Sequence, residues 1–392
     1  MSEVCVVAGV RTAIGDFGGA FKDVSAVSLA AAVIEEAIRR AGIQKDQVED
    51  VILGCCLQKP NELTLGRLAA LKAGLPIEVP GVTIQRNCAS GMQAITYGAQ
   101  VIEAGDAQII VAGGVEAMSD APYYIEGARW GLRLRPSRLG DGVWDGLTDA
   151  WSGLIMGLTA ENLAEKYNIS RQEQDEVALR SHNNAEAAIK AGRFKEEIVP
   201  FKVPQKKGEP KIVDTDEHPR MGLTMADLAK LQPTFKPNGT VTAGNSSGIN
   251  DAASAVVLMT RQKAKELGIQ PMGRLVASAV AGVEPELMGY GPVPATKKVL
   301  KKAGMDLKDI QLIECNEAFA AQYLACERLL GWDRSIVNVN GSGIGLGHPV
   351  GATGCRIVVT LLHEMRRRDL SVGLATLCVG GGMGMATIWE RL

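Results

Sequence analysis

The sequence has no run of 18 or more apolar residues, so no segment reads as a membrane span. Its eight cysteines include no Cys-x-x-Cys pair, which argues against a zinc or iron–sulfur site; no bound metal is expected. It lacks the Gly-Lys-Ser/Thr of a P-loop, and Gly-x-Gly-x-x-Gly spacing fits its glycine-rich loop poorly. Net charge is only -2, so there is no overall field to draw in nucleic acid or an anionic membrane. Val4 enters a strand at once, leaving no room for a secretion signal, and Glu390-Arg391-Leu392 is not a peroxisomal address. The expectation is a cytoplasmic protein with reduced thiols.

What is present is an alternation of strands and helices. Val4 to Gly9 reads as a buried strand, Ser28 to Ala41 as a helix stopped by Gly42, Val48 to Leu53 as a strand, and Leu65 to Ala73 as a helix. The run 81–87 reads as a strand that leads through Cys88 into a helix ending at Ala104. Gln108 to Gly114 is a further apolar strand. Continuous apolar strands between helices indicate a sheet covered on both faces. The pattern then recurs: 274–283 echoes 4–10, 303–313 echoes 41–51, the helix near Ala352 echoes the one after Cys88, and 374–381 echoes 109–114. Four matched elements in one order predict two duplicated α/β halves.

The repeat also exposes an insertion, roughly 119–250. It holds Trp130, Trp144 and Trp151, an arginine cluster (Arg129, Arg133, Arg135, Arg138) suited to a site or to subunit contacts, and a helical piece from Thr159 to Ala191. That piece breaks at Asn168, with a capping box predicted between Ser170 and Glu173. The basic run Lys202, Lys206, Lys207 and Lys211 fits either a binding face or solvated surface.

Four residues stand out chemically. Cys88 sits at a strand-to-helix turn, where the helix dipole favours a thiolate, although buried structural cysteine is the common alternative. His348, one of four histidines, lies in the glycine-rich stretch 340–354. Cys378 ends a strand before three glycines. Asn316 follows a strand, where it is either a site residue or an N-cap for a helix at Glu317. The repeat sets the His348 loop opposite the Cys88 turn, so the four should converge beyond the carboxyl ends of the strands. Together they suit acyl transfer: a thiol nucleophile, a histidine base, backbone N–H groups near Cys88 and Gly380 for an oxyanion, and a second thiol as acid and base on an acyl α-carbon.

The motifs Asn87-Cys88-Ala89-Ser90-Gly91, Asn316-Glu317-Ala318-Phe319, Gly347-His348-Pro349-x-Gly351 and Cys378-x-Gly380-Gly381-Gly382 closely resemble those of the thiolases, over essentially the whole chain. The resemblance implies a five-layered α-β-α-β-α fold of two duplicated halves plus an inserted loop domain. The halves would be 1–118 with 251–270 and 271–392; the loop domain, 119–250, would bind coenzyme A. It implies reversible acyl transfer between acyl-CoA and acetyl-CoA, to or from a 3-ketoacyl-CoA such as acetoacetyl-CoA. No cofactor beyond these thioesters is implied, and the assembly would be a homodimer or homotetramer. Cys88 would be acylated, His348 would activate it, and Cys378 would exchange the α-proton. Asn316 would hold a water that forms one oxyanion site with His348, and the N–H groups of Cys88 and Gly380 would form the other. Arg220, within 216–220, would lie near the nucleotide. Phe235, Ala243, Gly244 and Ser247 would line the pantetheine tunnel, with Leu147, Met156, Met288, Ala318 and Phe319 around the acyl group. Ile155 stands where many short-chain members have histidine, which leaves acyl length open. The alternatives are a β-ketoacyl synthase-type condensing enzyme, which usually lacks the second cysteine, and a non-catalytic partner subunit.

Overall fold

A computed structural model describes residues 3–134 and 136–392; Arg135 of the arginine cluster lies outside the described residues. The repeat seen in the sequence is also a repeat of topology. The first half runs β1 (Val4–Thr12), α1 (Ala26–Ala41), β2 (Asp50–Gly54), α2 (Leu65–Lys72), β3 (Gly81–Ile84), α3 (Ser90–Ala104), β4 (Ile109–Ala117) and, beyond the insertion, β5 (Asn250–Thr260). The insertion contributes α4 (Met156–Lys166) and α5 (Arg171–Lys190). The second half runs β6 (Gly273–Gly282), α6 (Pro292–Ala303), β7 (Leu312–Cys315), α7 (Ala320–Leu330), α8 (Val350–Arg367), β8 (Val372–Val379) and β9 (Met383–Glu390).

Hydrogen bonding orders the first-half strands β3-β2-β4-β5-β1 and the second-half strands β7-β8-β9-β6. The counterpart of β3 is reduced to a single parallel bridge between Ile313 and Val337. A short antiparallel contact, Cys5 to Arg274 and Val6 to Gly273, joins the two sheets. Alternating side chains give each sheet two apolar faces. One face of the first sheet packs on α1 and α2. Its other face and the inner face of the second sheet enclose α3 and α8. The outer face of the second sheet packs on α6, α7 and the inserted α4. This is the expected five-layered arrangement.

The local signals act as chemistry requires. Ser25 caps α1, and Gly42 closes it at φ 70°; Gly304 closes α6 in the same left-handed conformation, φ 67°. The helical insertion does break at Asn168, and Ser170 and Glu173 form the capping box that starts α5. The central helix α8 is buried from Val350 to Met365. Its approach to α3 depends on small residues: a Cβ on Gly91 would lie 2.8 Å from Cys355 N, and one on Gly354 would lie 2.6 Å from Met92 N. These glycines let the N-termini of the two repeat-related helices touch.

One expectation changes. The helix after Asn316 begins at Ala320 with Phe319 at its N-cap position; Asn316 lies four residues before the helix and does not cap it. The basic run forms part of an antiparallel pair, Phe201–Val203 with Lys211–Val213, and Lys202, Lys206, Lys207 and Lys211 are all exposed, as either reading of the run requires.

Candidate active site

The turn between β3 and α3 is held in an uncommon shape. Asn87 has φ 41°, a left-handed conformation that asparagine tolerates better than most residues. Ser90 Oγ donates to the Asn87 carbonyl at 2.7 Å and accepts the Arg86 N–H at 2.8 Å. Asn87 Nδ2 donates across the molecule to the Gly380 carbonyl at 2.9 Å. Cys88 therefore faces the end of β8. The backbone N–H groups of Gly380 and of Cys88 itself favour the thiolate form of its sulfur.

Those donors do not make a thiolate. Burial pushes the Cys88 thiol up to about 11, and the two N–H groups only oppose that rise. The sequence-based expectation of a dipole-stabilised thiolate is corrected: desolvation outweighs the helix terminus, and α3 begins only at Ser90. Cys378, fully buried beside Cys88, is pushed well above the usual thiol range by burial and then by the neighbouring sulfurs.

His348 is 6% exposed. Its Nδ1 lies 2.7 Å from Thr353 Oγ1, and that hydroxyl donates to the Pro349 carbonyl at 2.9 Å. The Thr353 oxygen is then the acceptor, so Nδ1 carries the hydrogen and Nε2 is left with a free lone pair. Burial, and then the positive charge of Arg356, hold His348 down at about 3. The imidazole is neutral at pH 7. Asn316 Nδ2 approaches the ring at 3.4–3.5 Å, the long limit of a hydrogen bond. Asn316 Oδ1 is buried with no hydrogen-bond partner among the described residues.

Glu116, which sequence reasoning missed, ties these loops together. Its carboxylate accepts N–H groups from Cys56 (3.1 Å), Leu57 (2.9 Å) and Gly351 (2.8 Å). Gly351 lies in the first turn of α8, so a carboxylate 235 residues away satisfies one of that helix's open donors. The only available signal was a lone acid within an apolar strand.

A cavity of about 370 Å³ lies at this point. Of the residues expected at the site, Cys88, Gly380, Leu147 and Met156 line it, together with Cys56, Leu57, Trp151 and Val350. His348, Asn316 and Cys378 are buried and do not reach its wall. Met288, Ala318 and Phe319 belong to the outer apolar cluster of the second half rather than to the cavity lining. Phe319 meets Phe235 edge to face at 6.2 Å, and Ser247 N–H donates to the Ala318 carbonyl at 2.9 Å. Ala243 is exposed, and Gly244 sits over Leu228 and Leu231. Arg220 is exposed, 3.8 Å from Asp16. Asp216, in contrast, is buried and grips Arg11 at 2.7 and 2.9 Å. A larger surface groove of about 1050 Å³, around residues 260–271, contains none of these groups.

The arrangement offers a thiol at a cavity wall, a neutral imidazole whose Nε2 can take up a proton, and a second thiol beside the first. Comparison with known proteins identifies the family. The family model for the thiolase N-terminal domain matches residues 4–262, and that for the thiolase C-terminal domain matches 269–391. The chain is 54% identical over 392 residues to an acetyl-CoA acetyltransferase of Pseudomonas aeruginosa, covering 100% of both. The crystal structure of the Bacillus anthracis acetyl-CoA acetyltransferase superposes with a TM-score of 0.99 at 52% identity, covering 100% of this chain and 99% of that one. Human mitochondrial 3-ketoacyl-CoA thiolase in complex with CoA superposes with a TM-score of 0.96 at 43% identity, covering 100% and 98%.

Proposed function

Because this chain belongs to the thiolase family and is an acyltransferase acting on coenzyme A thioesters, we propose that Cys88 carries the acyl group and that the site interconverts acetyl-CoA with a 3-ketoacyl-CoA such as acetoacetyl-CoA. The carrying observation is that Cys88 and Gly380 line one cavity, clamped together by the Asn87 amide bond to the Gly380 carbonyl at 2.9 Å. Backbone N–H groups at that point would favour the oxygen that becomes negative when a sulfur-bound carbonyl turns tetrahedral.

In condensation, His348 Nε2 takes the Cys88 proton as the sulfur attacks acetyl-CoA. The carbon–sulfur bond to coenzyme A breaks, and the coenzyme A sulfur leaves with that proton. Cys378, as its thiolate, then removes an α-proton from a second acetyl-CoA. The carbanion attacks acetyl-Cys88, the new carbon–carbon bond forms as the carbon–sulfur bond to Cys88 breaks, and the departing Cys88 thiolate takes back the proton that Cys378 removed. Thiolysis is the reverse. The unpartnered Oδ1 of buried Asn316, beside the imidazole, supports its role in holding a water for the second oxyanion site.

The same reading gives 119–250 the coenzyme A-binding role, between halves 1–118 with 251–270 and 271–392. Arg220 would meet the nucleotide, with Phe235, Ala243, Gly244 and Ser247 along the pantetheine, Leu147 and Met156 against the acyl group, and Met288, Ala318 and Phe319 in the cluster packed behind Met156. It includes a cytoplasmic homodimer or homotetramer that needs no resident cofactor. Cys378 beside Cys88 gives no support to a β-ketoacyl synthase reading. The test is mass spectrometry after exposure to acetyl-CoA: acetyl on Cys88 is expected. A Cys88→Ala variant with full thiolysis activity would sink the assignment.

A further inference from the structure

Asn250 opens β5 with its side chain fully buried between two loops. Its Oδ1 accepts the backbone N–H of His348 at 2.8 Å. Its Nδ2 donates to the Gly15 carbonyl at 3.1 Å and reaches Asp16 Oδ1 at 3.3 Å. Asp16 in turn faces two cationic or cation-forming groups: His218 Nδ1 at 2.6 Å and Arg220 Nη2 at 3.8 Å. One amide and one carboxylate thus separate the exposed guanidinium of Arg220 from the main chain of His348.

The link has little slack. Gly347 has φ 103°, and a Cβ there would lie 2.6 Å from Asn250 Oδ1. A Cβ on Gly248 would lie 2.4 Å from the His218 ring and 2.7 Å from Asn250 Oδ1. Glu217 fastens the same turn, accepting the N–H groups of Asp16 (3.1 Å) and Ala20 (3.0 Å). The segment around His348 is therefore held from two sides: Thr353 orients the ring, and Asn250 fixes the backbone that carries it.

The geometry points to Asn250 as a positioning residue for His348, and to Asp16 as the group through which an anionic substrate portion at His218 and Arg220 sets that position. The inference rests on the thiolase reading, with the nucleotide of coenzyme A as that portion. A phosphate that draws Arg220 toward itself changes the pull on the carboxylate to which Asn250 is bonded. Binding energy from a remote part of a substrate raises kcat when it is spent on placing the reacting groups, and placement errors near 1 Å cost on the order of a hundredfold in rate.

The experiment compares kcat and KM for acetoacetyl-CoA and for acetoacetyl-pantetheine, which has the same reacting groups and no nucleotide. The wild-type protein is expected to show a higher kcat with the coenzyme A thioester. Asp16→Asn should move that kcat ratio toward one. Asn250→Asp keeps an acceptor for the His348 N–H but sets a carboxylate against Asp16; a fall in kcat on the order of tenfold is expected, with little change in KM. Adding Asp16→Asn to Asn250→Asp restores a donor–acceptor pair and should recover kcat. Equal wild-type kcat values, an Asp16→Asn ratio that does not move, or an Asn250→Asp loss confined to KM or left unrescued would each overturn the inference. Absence of acetyl-Cys88 in the wild-type protein would instead overturn the underlying thiolase assignment. An adduct with an unmoved ratio overturns this inference alone.

Discussion

Asn87 and Gly380 are 293 residues apart in sequence, and the amide of the first donates to the carbonyl of the second at 2.9 Å. This bond clamps the nucleophile turn of one half to the strand end of the other. It holds Gly380 beside Cys88, in the cavity that both line. Asn87→Ala removes the bond and places alanine in a left-handed conformation that costs about 1–2 kcal/mol. Steady-state kcat for thiolysis is expected to fall about tenfold or more, in line with the loss of one oxyanion donor. An unchanged kcat would show that Gly380 is held by other means.

Gly380 tests the room around the acyl group. It is not among the positive-φ glycines, and an added Cβ would meet Asn87 Nδ2 at 3.4 Å and Met156 Sδ at 3.5 Å, which is ordinary contact. Gly380→Ala should therefore fold with a stability change within about 0.5 kcal/mol yet narrow the cavity. Discrimination between acetoacetyl-CoA and longer 3-ketoacyl-CoA substrates should shift toward the shorter one. Gly382 provides the contrast, with φ 76° and a Cβ that would fall 2.3 Å from the Val283 carbonyl; Gly382→Ala should lower the urea midpoint clearly.

Glu116→Ala leaves the N–H groups of Cys56, Leu57 and Gly351 without their acceptor. Each buried donor left unsatisfied costs about 1–3 kcal/mol. A loss of at least about 2 kcal/mol in urea unfolding is expected on that basis. The size of the loss separates a buried hub from a dispensable surface acid.

Cys88 in the free protein should react as a thiol. With its proton held up to about 11 by burial, only the thiolate fraction is alkylated. The iodoacetamide rate constant at Cys88 should rise about tenfold per pH unit between roughly pH 7 and 9, with no plateau. A plateau near neutrality would reveal a preformed thiolate.

Acid should destabilise the fold through its buried histidines. His348 is held down at about 3 and His182 at about 4, in each case chiefly by burial. An unfolded histidine titrates near about 6.5, so below that pH the unfolded chain binds protons that the folded one refuses. The stability contribution is complete above pH about 6.5 and is lost as pH falls toward the folded values. The urea midpoint should drop between pH 6.5 and 4, and His182→Asn should flatten part of that slope. A midpoint independent of pH across this window would contradict the buried neutral state.

The alternation of strands and helices, the duplicated topology and the Ser170 cap were all legible in the sequence. Each depends on local periodicity, on turn chemistry, or on motifs carried within a few adjacent residues. Asn316 was open to two readings because a loop residue before a helix looks like a cap until the helix start is known. The protonation of Cys88 was misjudged because dipole placement is a local property, whereas desolvation depends on everything packed around the sulfur. The roles of Glu116 and Asn250 had no local signature beyond a lone acid in an apolar strand, since their partners lie 59 to 235 residues away. The sequence by itself determined the fold class and which side chains could react. Tertiary packing decided which of them meet, which protons they hold, and which buried polar groups fix their positions, because burial and long-range hydrogen bonds exist only once the layers have closed.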